Sequence, residues 1–169
     1  MVEGLDIEVV KNPKLADLII NTGPWGDKDS LENYKPILEE LVNYNPLMIC
    51  SNPDKTVIRG NRFMICAGLL AEYYQKIGGK VEYYGKPYSE IYEYTYSIMK
   101  KTNEKILVIG DSLDNDIKGA NIKNLDSLLI TSGIHRKVNN HNGVDKEELN
   151  DLIKKKKICP KFIMRHLTF

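Results

Sequence analysis

Residues 105–120 read KILVIGDSLDNDIKGA, Lys105 through Ala120, and two incompatible chemistries can be read in them. The apolar run Lys105–Ile109 has the composition of a buried strand, and a short helix is expected from about Asp116 to Asn121. Between them, GDSL at 110–113 would make Ser112 the nucleophile of an ester hydrolase. The carboxylates of the same stretch, Asp111 and Asp116, could instead face a divalent cation from the end of the strand.

Outward from this stretch the chain alternates. Toward the N-terminus, strands are expected at Ala16–Asn21 and Leu47–Ser51, with a helix over Ser30–Tyr44 between them, capped by Ser30. A second helix is expected around Phe63–Ile77, closed by Gly78-Gly79, before a new segment at Val81–Tyr84. A helix over Ser89–Lys101 then leads into Lys105–Ile109. Beyond the quoted stretch come a strand at Ser127–Thr131, a helix over Lys146–Lys155 and a last strand at Phe162–Met164. Such alternation predicts an α/β fold with a parallel sheet. The tyrosines around Tyr83–Tyr96 include Tyr88, Ile91, Tyr92, Thr95, Ile98 and Met99 at helical spacing, a pattern that predicts a core-facing stripe.

Composition narrows the function classes. The 169 residues are 42% hydrophobic and 28% charged, with net charge +1, so no general field draws nucleic acid or anionic lipid. The basic run Lys154–Lys157 reads as a solvated helix end. Neither a signal-peptide pattern nor an apolar run of membrane-spanning length is found, and a cytoplasmic location is expected, without membrane or nucleic-acid partners. Cys50, Cys66 and Cys159 show no CxxC spacing; the first two lie in apolar runs and read as buried structural thiols. His135, His141 and His166 stand at no zinc-binding spacing.

Parallel sheets gather ligand sites at the carboxyl ends of their strands. Asp111 is placed there, and so is Lys86 in Gly85-Lys86-Pro87, which follows another apolar stretch. An ammonium and two carboxylates on neighbouring loops can together hold a phosphate and a magnesium ion. The esterase reading fails on the same residues. In hydrolases of that type the serine block opens the domain and an Asp-x-x-His closes it. Here 111 residues precede Ser112, and none of the three histidines has an aspartate three residues before it. Without a base, Ser112 reads as a turn hydroxyl.

The order of GKP at 85–87, GDSLDNDIKGA at 110–120 and LLITSGIH at 128–135 resembles the third and fourth motifs of the haloacid dehalogenase (HAD) superfamily. It is most similar to class IIA, the NagD-like phosphatases. INTGPW at 20–25, CSNPDKTVIRG at 50–60 and the run from Cys66 to Pro87 resemble that class's cap domain leading into its lysine motif. The resemblance implies a HAD-like parallel sheet, specifically the C-terminal half of a Rossmann-like core at 81–169, with a small α/β C2-type cap at 1–80.

It also implies site roles. Lys86 would steady the phosphate, Asp111 would ligate Mg2+ directly, and Asp116 would belong to the metal site as a water-bridged carboxylate. Gly110, Ser112 and Asn115 would shape the phosphate-facing loop, while Asn52 and Asp54 would face the substrate, a phosphorylated small molecule, from the cap. The family's nucleophile, an apolar strand followed by Asp-x-Asp-Gly, has no counterpart: Asp6-Ile7-Glu8 lacks the strand and the glycine, and Asp27-Lys28-Asp29 comes late after its strand. Asn52-Pro53-Asp54-Lys55-Thr56 carries an amide where the attacking carboxylate would be. The expectation is a fragment or degenerate member, inactive alone and weak in Mg2+ binding, with an open apolar edge at Ile106–Ile109. That edge would favour self-association or a separate N-terminal chain completing a half-enzyme. A noncatalytic phosphoryl-ligand binding protein is the remaining alternative.

Overall fold

Two small parallel sheets, each of three strands, organise the computed structural model, which describes residues 4–99 and 105–168. The first joins β1 (Leu18–Asn21), β2 (Leu47–Cys50) and β5 (Val81–Tyr83) in the order β1-β2-β5. In register, Leu18 faces Leu47 and Met48 faces Val81. Short apolar strands of this kind need helical cover. It comes from α1 (Lys35–Val42) and α2 (Ala67–Lys76), whose Leu38, Leu41, Leu70, Ala71 and Tyr74 are buried together with Met48 and Cys50. The Tyr74 ring lies so close over Gly79 that a Cβ there would overlap it, which explains the second glycine of the pair.

The expected helix over Ser30–Tyr44 is divided in two. Leu31–Asn33 forms a 3-10 turn under a Ser30/Asn33 capping box, and α1 begins only at Lys35 with Pro36 in its first turn. The helix expected from Phe63 begins at Ala67 instead. Phe63 belongs to an antiparallel hairpin of β3 (Thr56–Arg59) and β4 (Arg62–Ile65) around Gly60-Asn61. Gly60 takes φ +61°, the angle a two-residue hairpin turn asks of its first residue.

The second sheet has the order β10-β7-β6, from β6 (Leu107–Gly110), β7 (Asp126–Ile130) and β10 (Phe162–Met164). Between them lie α3 (Ser89–Ile98), α4 (Lys118–Ile122), a two-residue ladder of β8 (Asn139–Asn140) with β9 (Gly143–Val144), and α5 (Lys146–Lys156). Asp145 caps α5 by accepting from the Glu147 and Glu148 amides at 3.1 Å, and three lysines fill its last turn, complementing the helix dipole. Leu113, Ile117, Leu129, Val138, Leu149 and Ile158 form the buried core on one face of this sheet.

The opposite face is open. Strand alternation puts Leu107, Ile109, Phe162 and Met164 there, all exposed, and β6 is a terminal strand with no further partner among the described residues. The tyrosine stripe is also corrected. On α3 only Tyr92 is buried, while Tyr94, Tyr96, Ile91 and Ile98 are exposed; the Tyr92 hydroxyl fills the space left by Gly119 of α4, and Glu93 meets Lys123 at the end of α4 at 3.0 Å. Lys100 and Lys101, the expected end of this helix, lie outside the described residues. Because Val81–Tyr83 belongs to the first sheet, the passage between the sheets falls after Tyr83 rather than at residue 80. Cys50 is buried as expected, but Cys66 is only partly covered and Cys159 is exposed.

Candidate active site

Lys86 leaves the first sheet two residues after Tyr84, in a Gly85-Lys86-Pro87 turn in which Gly85 has φ +110°. Its ammonium lies 2.5 Å from Asp116 Oδ1. Asp116 is 5% exposed and is held on its other side, where Oδ2 accepts the Ser112 amide at 3.0 Å. Gly110 makes this possible, since a Cβ at that position would overlap the Asp116 carboxylate as it folds back against the end of β6. Burial alone would lower the Lys86 pKa, yet the Asp116 hydrogen bond and charge outweigh it and leave the ammonium above its ordinary range.

The loop after Asp111 follows from its own sequence. Leu113–Ile117 makes a π-helical turn, and Ser112 caps it by accepting from the Asn115 amide at 3.2 Å. Ser112 is therefore a capping hydroxyl as placed. His135 Nε2 accepts the Leu113 amide at 3.2 Å, and burial pushes its pKa below the ordinary imidazole value, with Lys156 acting in the same direction. Asp111 Oδ2 accepts the Ile134 amide at 2.9 Å, and Gly133 is required beneath it because a Cβ would overlap the Asp111 side chain. Asp111 Oδ1 has no protein partner among the described residues.

From the first unit, the loop 52–54 reaches over this strand end. Asn115 donates its side-chain amide to Asp54 Oδ1, a contact that bridges the two sheets' halves. Burial raises the Asp54 pKa against the lowering pull of Lys86, and the charges of Asp116 and Asp111 raise it further. Asn52, on the same loop, is exposed and is not among the residues that line the cleft. Its Oδ1 is used within the loop, accepting the Asp54 amide at 3.1 Å. Pro53 is closely held between Gly68 and Gly85, where side chains would collide with it.

The enclosed space is a cleft of about 90 Å3 between Asp54, Thr56, Val57 and Ile58 on one side and Lys86, Asp111, Ser112, Asp116 and Ile134 on the other. Three carboxylates face one ammonium, so the cleft carries a surplus of two negative charges when all are ionised. A phosphate dianion would be repelled from such a site unless a divalent cation accompanied it. Hard carboxylate oxygens are the right donors for magnesium, and Asp111 offers one that is free of protein hydrogen bonds. Asp116, expected as a water-bridged carboxylate of the metal site, has both oxygens hydrogen-bonded to protein, Oδ1 to Lys86 and Oδ2 to the Ser112 amide, which fits an anchoring role. No cluster of three or more acidic, histidine or cysteine side chains at metal-binding distance is found among the described residues.

Sequence reading overlooked Thr56, Val57 and Ile58, Gly133 and Ile134, and the role of His135. The sequence reading assigns no element to residues 56–62, and its helix from Phe63 covers Phe63–Ile65 of β4, so the hairpin does not emerge from it. His135 was dismissed as a zinc ligand without being considered as a hydrogen-bond acceptor.

A lysine placed after the first parallel sheet and an aspartate pair after a strand of the second meet at one cleft of an α/β fold, and comparison with known proteins gives the family. Residues 6–121 match the haloacid dehalogenase-like hydrolase family, and residues 83–168 match the family described as "HAD-hyrolase-like". The chain belongs to the haloacid dehalogenase-like hydrolases and is a NagD-like, class IIA member. It is 31% identical over 87 residues to the ribonucleotide monophosphatase NagD of Escherichia coli K12, an alignment covering 51% of this chain and 34% of that protein. It is similar across 99% of its length to a haloacid dehalogenase-like hydrolase from Brucella suis 1330, with 34% identity and a TM-score of 0.78, and covers 61% of that chain. A p-nitrophenyl phosphatase from Archaeoglobus fulgidus shares the fold at 17% identity and a TM-score of 0.62, with 90% of this chain and 55% of that one covered. The chain thus spans about a third of the curated relative and about three fifths of the Brucella hydrolase.

Proposed function

We propose that this chain carries the phosphate- and cation-facing wall of a Mg2+-dependent phosphate monoester hydrolase. The observation that carries the reading is the buried Asp116 holding Lys86 charged at the mouth of a cleft that Asp111 also lines. Lys86 presents its remaining N–H donors to phosphoryl oxygens as a point charge. Asp111 offers an oxygen to Mg2+, and Asp116 fixes the lysine and the loop. When bound, Mg2+ would neutralise phosphoryl charge and favour attack at phosphorus.

The attacking carboxylate is not supplied by these residues, and the pure chain is expected to show no turnover. Calorimetry with inorganic phosphate and a p-nitrophenyl phosphate assay test both parts. Phosphate binding that needs Mg2+ and is lost in Lys86→Ala and Asp111→Ala is expected. Binding indifferent to both substitutions would remove the site, and Mg2+-dependent turnover abolished by Asp111→Ala would overturn the inactivity.

A second reading is favoured by the open edge of β6, whose last residue, Gly110, precedes Asp111. A parallel strand from another polypeptide paired there would lie about 4.8 Å away and bring its own carboxyl end beside the cleft. Co-expression with a segment holding an apolar strand and Asp-x-Asp-Gly should then yield a complex and restore hydrolysis. Purification of the two as separate species would refute it. The same proposal puts the protein in the cytoplasm, supported by three free cysteines; no helix among the described residues is long and apolar enough to cross a membrane.

A further inference from the structure

Lys86 and Asp116 are unequal partners. The lysine side chain is 47% exposed and has room to turn toward a phosphoryl group, whereas the carboxylate is buried and stays where the Ser112 amide and the space over Gly110 hold it. A buried carboxylate that loses its cation needs another donor on the vacated oxygen. The acids that share the cleft, Asp54 and Asp111, supply none when ionised, and the Asn115 side-chain amide donates to Asp54.

Tyr92 of α3 stands behind this pair and is 9% exposed. Its hydroxyl is the one buried side-chain oxygen or nitrogen among the described residues without a hydrogen-bond partner. Such a group destabilises the fold, and a phenylalanine of the same shape would avoid it, so the hydroxyl calls for a use. It occupies the space left by Gly119, three residues after Asp116, and a side chain at that place on a helix would lie over the turn that carries Asp116. The Glu93–Lys123 ion pair holds α3 to the end of α4 beside it. Burial and the Asp116 charge raise the Tyr92 pKa while Lys86 lowers it, so the hydroxyl keeps its proton within the field of both partners.

We propose that Tyr92 is a positioning residue for Lys86, its hydroxyl a reserve donor that takes over Asp116 Oδ1 when the ammonium turns onto a phosphoryl group. The lysine then leaves without stranding the carboxylate. The ligand half of the inference rests on the phosphate reading of the cleft. The donor half does not, because replacing the lysine vacates the same oxygen.

Urea unfolding of the full chain tests the donor. Tyr92→Phe alone should leave the midpoint unchanged or raise it, since no hydrogen bond is lost. In a Lys86→Met background the hydroxyl bonds Asp116, and adding Tyr92→Phe should lower the midpoint, a reversal of sign that a merely space-filling ring would not produce. The same sign in both backgrounds would overturn the donor. Calorimetry with inorganic phosphate in Mg2+ needs only the single variant: Tyr92→Phe should bind about tenfold more weakly than wild type, and equal affinities would overturn the link to the ligand. No phosphate binding by the wild type, with the reversal intact, would refute the phosphate reading while leaving Tyr92 as the donor behind Asp116.

Discussion

Asp116 commits one oxygen to Lys86 and the other to the Ser112 amide, and Gly110 leaves the room that this fold-back needs. Removing it strands an ammonium and a buried N–H together. Lys86 is half exposed, so water recovers part of the loss, and Asp116→Ala is expected to lower stability by about 2 kcal/mol in urea unfolding. His135 makes a second prediction. As an acceptor from Leu113 it must be neutral at Nε2, and its folded pKa lies below the unfolded value near 6.5. The folded state therefore binds fewer protons than the unfolded one below that value. The contribution is complete above about pH 6.5 and is lost as pH falls through the folded pKa. Thermal melts of wild type should drop over this range more steeply than those of His135→Gln. Parallel curves would contradict the assignment.

At the scale of elements, α3 shows how far periodicity reaches. Its spacing correctly announced a helix, but the apolar stripe says only which residues share a face, and what covers that face is a tertiary matter. Tyr92 is the one residue of α3 that is buried, against Gly119, and its hydroxyl has no hydrogen-bond partner among the described residues. Tyr92→Phe should therefore be neutral or stabilising by up to about 1 kcal/mol, whereas Gly119→Ala should destabilise by at least about that much, because the new methyl meets the tyrosine. Denaturation midpoints of the two variants check both signs. The hairpin escapes periodicity for a related reason: Phe63–Ile65 runs on through Cys66 into the apolar start of α2, and the Gly60-Asn61 turn that joins β3 to β4 is the local sign that a strand precedes the helix.

For the whole molecule the open face of the second sheet dominates. Leu107 and Ile109 are each 44% exposed on a terminal strand that carries no charged residue to discourage pairing. The isolated chain is expected to associate with rising concentration, and Ile109→Lys to reduce that association while leaving the melting temperature nearly unchanged, as light scattering and calorimetry would show. A wild type that stays monomeric at high concentration would remove the edge as a docking element.

The α/β class, five of the six strands of the two parallel sheets, and the positions of Lys86, Asp111 and Asp116 were legible in the sequence, since each depends on a local pattern: an apolar run, a turn glycine, a charged residue at a strand end. Only the tertiary structure decided what those charges do. Asp116 became an anchor because Gly110 lets it fold back, and Asn52 turned into its own loop. Asp54 met Asn115 across a separation of 61 residues. No periodicity encodes a contact between two such loops, because it arises from how the two sheets' edges pack against each other.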